Sequence, residues 1–140
     1  RHVLPEEQAR KVVSVIGDGT FMHSGLTGVA EMVYNRPDTG HVIVILDNGT
    51  TAMTGLQEHP GTGKKLDHLP AGKTVSLEET CLAMGIDNVV IVDPQREIEA
   101  FEKAVVDALA CNDLSVVIAR RPCILAMTRD AKFERGEKVR

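Results

Sequence analysis

Four short aliphatic runs punctuate the chain: Val12–Ile16, Val42–Leu46, Val89–Val92 and Ser115–Ala119. Each is nearly continuous rather than alternating, and each is rich in Val and Ile. Strands buried on both faces read this way, which points to a parallel sheet. The segments between them carry helical spacing. From Ser24 to Tyr34, the residues Leu26, Val29, Ala30 and Val33 fall on one face. Ser76-Leu77-Glu78-Glu79 fits a capping box, and the helix it opens carries Leu82, Ala83 and Met84 and stops at Gly85. Asp93-Pro94 fits an N-cap followed by proline at the first helical position. Beyond it, Ile98, Phe101, Ala104, Val105, Ala108 and Leu109 form an apolar stripe with Glu and Lys opposite. Strands alternating with helices predict an α/β fold: a doubly wound, mostly parallel sheet in three α/β/α layers, joined by right-handed crossovers. Residues 1–125 are read as one domain and residues 126–140, a mixed charge run, as a charged tail or linker.

Two of the apolar runs stop in the same way. The first ends at Gly17-Asp18-Gly19, the second at Asp47-Asn48-Gly49. Ligands of open parallel sheets bind beyond the carboxyl ends of the strands. If these two strands are neighbours, a carboxylate and an amide carbonyl enter one crevice. Both are hard oxygen donors of the kind Mg²⁺ favours, and Mg²⁺ commonly completes its shell with water and phosphate. The Thr50 carbonyl is a candidate third ligand. Gly17 and Gly19 would let the backbone approach a bulky anion, with the following helix aimed at it. The alternative is turn chemistry: Asp-Gly and Asn-Gly are also hairpin signals. The polar, Gly- and Pro-rich stretch from Thr50 to Thr74 is too long for an ordinary connection, and such loops are usually functional.

Composition narrows the partners. The 140 residues suffice for one domain with a core, and the net charge of −4 argues against nucleic acid. No apolar run reaches membrane-spanning length. Cys81, Cys111 and Cys123 lack metal spacing and read as reduced thiols of a cytoplasmic protein. Pro60-Gly61-Thr62-Gly63-Lys64-Lys65 fails as a phosphate loop, with Glu58 where the first glycine belongs and Lys65 where Ser or Thr belongs. His59 and His68 lack the companions a zinc site needs.

Gly17-Asp18-Gly19 followed some thirty residues later by Asn48 resembles the signature of thiamine-diphosphate enzymes. The longer stretches "GDGTFMHSGLTG", "ILDNGTTAMTGLQEHPGTG" and "ARRPCIL" resemble the large subunit of the indolepyruvate:ferredoxin oxidoreductases, within the 2-oxoacid:ferredoxin oxidoreductase family. The Met-Thr-Gly-Gly-Gln pattern of that wider family appears here as Met53-Thr54-Gly55-Leu56-Gln57, with Leu56 at the second glycine. The resemblance implies a Rossmann-like, thiamine-diphosphate-binding fold. It implies Asp18, Asn48 and the Thr50 carbonyl as Mg²⁺ ligands, Gly17 and Gly19 beside the diphosphate, and His23, Ser24 and Gly25 opening the helix under the cofactor. Thr51, Met53 and Thr54 would lie near the diphosphate or thiazolium, and residues 59–63 would shape a loop beside the active site.

The chemistry implied is oxidative decarboxylation of an aryl 2-oxo acid to acyl-coenzyme A, with electrons passed through iron–sulfur clusters to ferredoxin. Those clusters, the pyrimidine-binding domain with its activating glutamate, and the smaller subunit are expected elsewhere in the full protein or its partners. The chain is accordingly expected to be inactive alone, and to be either the carboxy-terminal portion of a diphosphate-binding domain or a chain whose remaining parts are separate. Open alternatives are the same domain of a pyruvate or branched-chain 2-oxoacid enzyme, a cofactor-binding module without turnover, and a flavodoxin-like nucleotide-binding domain.

Overall fold

A computed structural model describes residues 11–36 and 38–134 of the chain. Strand β1 spans Val12–Gly17. Helix α1 follows without a break over residues 18–34: an α turn at Asp18–Thr20, one π-helical turn at Phe21–Gly25, and α-helix over Leu26–Tyr34. Strand β2 is His41–Asp47, helix α2 Leu77–Ala83, strand β3 Asn88–Val92, helix α3 Ile98–Ala110, strand β4 Leu114–Arg120 and helix α4 Ile124–Glu134.

All three strand pairings are parallel, in the order β1-β2-β4-β3. The continuous aliphatic runs follow from this order. Successive strand residues face opposite sides, and β2 and β4 are covered on both. Ile43, Ile45, Val116 and Ile118 pack against Phe21, Met22 and Val29 of α1 and Leu77 and Cys81 of α2. Val42, Val44, Val117 and Ala119 pack with Val92 against Ala108, Phe101 and Val105 of α3. Each Val, Ile or Leu side chain among them, fully buried, contributes about 1.5–3 kcal/mol. The chain advances across the sheet from β1 to β2 to β3 with α1 and α2 on one face. It then steps back to β4 with α3 on the other face, as crossovers of a single hand require.

The three-layer α/β/α expectation is borne out, and the four runs match the strands to within a residue at each end. The two-sided burial does not extend to β1, which is an edge strand among the described residues. Its Val13 and Val15 are 45% and 62% exposed, because α3 covers β2, β4 and β3 but not β1. Ser76 caps α2 as expected, accepting the Glu79 N–H at 3.1 Å, and Gly85 ends it at φ +95°. Two helix starts need correction. Asp93 caps only a single turn, accepting from Gln95 N–H at 3.0 Å and Arg96 N–H at 3.2 Å, and α3 begins later, at Ile98. The first helix begins at Asp18 rather than at Ser24: the small polar residues that looked like a loop are its first turns. Residues 126–134, expected as tail or linker, belong to α4, whose Ala126 is buried.

Gly40 sits where β2 begins, against the end of α3. A Cβ there would stand 2.1 Å from the Leu109 carbonyl oxygen and 2.8 Å from its carbon, both backbone atoms that cannot swing away. Gly40→Ala is expected to lower stability by about 1–3 kcal/mol, the range for overpacking. Gly28→Ala in α1 meets nothing within 4 Å and should gain about 0.5–1 kcal/mol from helix propensity. Urea unfolding midpoints of the two variants, opposite in sign, check this.

Candidate functional site

Register decides which strand ends meet. Gly17 pairs with Leu46, so Asp18, one residue on, arrives beside the Asp47-Asn48-Gly49 turn. A hairpin reading of these turns is thereby excluded: β1 and β2 run parallel. Asp18 is 2% exposed. Its Oδ1 accepts the Gly19 N–H at 2.8 Å and its Oδ2 accepts the Gly49 N–H at 2.8 Å. On the next residue of the same turn, the Thr50 N–H donates to Asn48 Oδ1 at 3.1 Å. The two side chains singled out from the sequence are thus held by consecutive amides of one turn. Burial by itself would raise the pKa of Asp18. The His59 contact and the N–H groups of Gly19 and Gly49 outweigh it and hold the carboxyl below its ordinary value of 3.8, so the group is an anion at neutral pH.

The turn is kept in place from both sides. The chain leaving β4 runs beneath it, with the Arg121 N–H on the Asp47 carbonyl and the Cys123 N–H on the Asn48 carbonyl, each at 2.9 Å. This gives the Arg120-Arg121-Pro122-Cys123 stretch a backbone role. Gly49 has φ +73°, the left-handed region that favours glycine. Gly19 answers to a different need: a Cβ on it would lie 2.4 Å from Thr51 Oγ1, so the loop after β2 can close on the start of α1 only over a glycine. Thr51 Oγ1 is itself buried with no hydrogen-bond partner. Thr50 is 1% exposed, its hydroxyl donating to the Gln57 carbonyl at 3.2 Å.

The residue that sequence reasoning underweighted is His59, set aside as a zinc ligand and kept as part of a loop wall. Its side chain is 1% exposed, and Nε2 lies 3.2 Å from Asp18 Oδ2. The Gly61 N–H donates to Nδ1 at 3.2 Å, which assigns the neutral ring's proton to Nε2, facing the carboxylate. The Nε2 hydrogen is poorly aligned for a full hydrogen bond. The contact is close and polar nonetheless, and it occupies the Oδ2 side. A carboxylate oxygen carries two lone pairs. Oδ2 is engaged twice and Oδ1 once, so Oδ1 keeps the free acceptor site. The one sequence signal was the "EHPG" text, where glycine two residues after histidine allows the Nδ1 contact.

The remaining expected residues fall in two places. Thr51, Met53 and Thr54 lie on a short turn closed by the Thr51–Gln57 bridge, with the Thr51 N–H on the Gln57 carbonyl at 2.9 Å. Met53 at its tip is fully exposed and packs into no core. His23, Ser24 and Gly25 do not open the helix. They sit in its π turn, and the first helical turn is residues 18–20, with the Gly19 N–H already on Asp18 Oδ1. Ser24 donates back to the Thr20 carbonyl, and a Cβ on Gly25 would lie 2.9 Å from Ile16 Cδ1, so that glycine serves helix–strand contact. His23 lines a cleft of about 250 Å³ together with His59, Lys65 and Lys73.

A larger cavity of about 450 Å³ opens between the Asn48-Gly49 turn, the start of α2 and α4. Asp18 is not among its walls. Its cations are already neutralised: Arg120 meets Asp47 at 2.6 Å and Glu78 at 2.9 Å, and Arg129 meets Glu58 at 2.9 Å. Among the described residues no three His, Cys, Asp or Glu side chains gather as a metal site. A cation at the two strand ends would therefore depend on amide and carbonyl oxygens beside the Asp18 carboxylate. No helix among the described residues is long and apolar enough to cross a membrane.

Comparison with known proteins places the chain in a family. Residues 3–119 match the family described as thiamine pyrophosphate enzyme, C-terminal TPP binding domain. Among curated proteins, the chain is 44% identical over 119 residues to the indolepyruvate oxidoreductase subunit IorA of Pyrococcus horikoshii, covering 85% of this chain and 18% of the relative. It is 46% identical over 117 residues to the Pyrococcus abyssi subunit, covering 81% and 17%. To that of Archaeoglobus fulgidus it is 40% identical over 124 residues, covering 89% and 19%. The chain thus spans about a fifth of the length of the curated relatives it matches.

Glu58, next to His59, is 5% exposed and paired with Arg129 and His68. Burial pushes its pKa up, but the hydrogen bonds from His68 and Thr62 and the Arg129 charge hold it below the ordinary 4.5. A carboxylate with a lowered folded pKa stabilises the fold above its unfolded pKa, and that contribution is lost as pH falls through the folded value. Glu58→Gln should be less stable than wild type by about 1–3 kcal/mol at neutral pH. The gap should close as pH falls below 4.5, read from urea unfolding at a series of pH values.

Proposed function

This chain belongs to the thiamine pyrophosphate enzymes, as their C-terminal TPP-binding domain, and on that premise we propose that its strand-end turn holds Mg²⁺ and the diphosphate of thiamine diphosphate within an oxidoreductase acting on indolepyruvate. The observation that carries the metal reading is the parallel β1–β2 pairing, which delivers Asp18 and the Asn48 turn side by side. The donor set suits the ion: an ionised carboxylate with a free lone pair on Oδ1, an amide oxygen and a turn carbonyl are all hard ligands. In this reading the ligands are Asp18, Asn48 and the Thr50 carbonyl. Gly17, where a Cβ would meet nothing within 4 Å, leaves room for the diphosphate beside Gly19. The buried, unpartnered Thr51 hydroxyl is a donor in search of an acceptor on the same rim, with Met53 and Thr54 further out on the loop.

When bound, thiamine diphosphate supplies the electron sink for decarboxylation of a 2-oxo acid. This chain's own part is to hold it. Asp18 offers the fixed negative charge for the cation, while His59 and the amides of Gly19 and Gly49 keep that carboxylate from turning. The choice of an aryl 2-oxo acid follows the indolepyruvate relatives. The pyrimidine-binding domain, smaller subunit, iron–sulfur clusters, ferredoxin and coenzyme A belong to the proposed whole, in a cytoplasmic setting that suits three free cysteines. The chain on its own is expected to bind cofactor without turnover, and arylpyruvate-dependent reduction of a dye by it alone would contradict this.

Calorimetry with thiamine diphosphate, with and without Mg²⁺, tests the assignment. Metal-dependent binding is expected in the wild type. Loss of an outer-shell partner of a metal ligand typically costs about 10–100-fold in affinity, so Asp18→Ala should cost at least that much; binding unchanged in Asp18→Ala would refute the metal assignment. His59→Phe, which removes the Nε2 donor, should weaken Mg²⁺-dependent binding by about 10–100-fold. His59→Gln keeps an N–H of similar reach and should recover much of it. Equal affinity in the Phe variant would remove His59 from the site.

A further inference from the structure

The matched family region ends at residue 119, yet the loop carrying His59 is held from beyond that point. In α4, Arg129 donates through Nη1 to the Leu56 carbonyl and through Nη2 to Glu58 Oε1 at 2.9 Å. Both side chains are nearly buried, Arg129 11% and Glu58 3% exposed. Next door, Lys64 pairs with Asp130. Leu56 has φ +62°, a left-handed backbone that a leucine does not take unaided. This is the position at which the related Met-Thr-Gly-Gly-Gln pattern carries glycine. The guanidinium therefore pins the one strained residue of the turn and, two residues on, the carboxylate adjoining His59. We propose that Arg129 is a positioning residue for the cofactor loop, acting through Leu56 and Glu58 to keep His59 against Asp18 and Thr51 over Gly19. The role in cofactor binding rests on the thiamine diphosphate reading; the hold on the loop does not.

The test uses the full-length protein carrying Arg129→Met, Arg129→Lys, Leu56→Gly, or Leu56→Gly with Arg129→Met. Two quantities are read: hydrogen–deuterium exchange along residues 51–59 and in α4, and thiamine diphosphate affinity at fixed Mg²⁺. Arg129→Met should speed loop exchange, notably at the Thr51 amide, leave the α4 amides protected, and weaken the cofactor about 10-fold, the lower range for a supporting group. Lysine can pair with Glu58 but cannot also fork to a carbonyl, so Arg129→Lys should fall between. Glycine takes a positive φ without strain, so Leu56→Gly should restore part of the affinity lost in Arg129→Met, a rescue that a merely structural arginine would not show. Unchanged loop exchange in both Arg129 variants, or exchange that rises equally through α4, overturns the proposal, as does failure of the glycine rescue. Wild type that does not bind thiamine diphosphate, with loop exchange still raised in Arg129→Met, instead overturns the cofactor reading and leaves Arg129 as the loop's anchor.

Discussion

Asp18 is an ionised carboxylate closed off from water at the end of an edge strand, and the architecture around it follows from the need to satisfy it. An unpaired buried charge costs several kcal/mol. The groups that meet it come from three separate parts of the chain: the first helical turn through Gly19, the turn after β2 through Gly49, and the long loop through His59. The Gly49 and His59 donors, which come from beyond β2, are in place only when β1 and β2 pair in their observed register. Strand pairing, helix start and loop closure are thereby tied to one side chain. The same need explains two of the glycines. One lets the loop lie directly on the helix start, and the other gives the turn its left-handed residue.

The carboxyl edge of the sheet carries further charge, handled by pairing. Arg120 bridges Asp47 and Glu78, and Arg121 meets Asp93 at 2.8 Å. These pairs are partly exposed and contribute little stability each. Their effect is geometric: Arg120 ties the end of β4 to the end of β2 and the start of α2, so the rim of the larger cavity is a set of fixed side chains. Among the described residues, they also leave that rim without a free guanidinium for an anion. The burden of holding a diphosphate, in the reading proposed, falls on backbone N–H groups and the cation.

Much of this was legible in the residues. The unbroken Val and Ile runs declared a two-sided sheet because β2 and β4 are in fact covered on both faces. The matching Gly-Asp-Gly and Asp-Asn-Gly endings pointed to a shared crevice because the strands are neighbours. What misled was local. The residues from Thr20 to Ser24 are poor helix formers in part, and a π turn shifts the apolar period, so the first helix seemed to begin six residues late. Val13 and Val15 look like core residues in any window, since the absence of a covering helix leaves no trace in a strand's own sequence. His59 could not be placed because its partner is 41 positions away in the sequence. The charges of α4 read as a tail or linker, whereas Arg129, Asp130 and their partners face the loop.

The apparent redundancy of anchors around the strand ends has a physical reason. In the reading proposed, a site that depends on one carboxylate and neutral oxygens has little charge with which to organise itself around an incoming cation. Any freedom in the ligands would be lost on binding and subtracted from affinity. Here the freedom is already gone. Asp18 Oδ2 is engaged by an amide and an imidazole, leaving Oδ1 as the available face. Asn48 is fixed through its side chain by Thr50 and through its carbonyl by Cys123. The long loop, which has few apolar contacts of its own, is fixed by Glu58 and Leu56 to a helix lying outside the matched domain. Rigidity that a small, weakly charged site needs but cannot generate is thus imported from the sheet on one side and from α4 on the other.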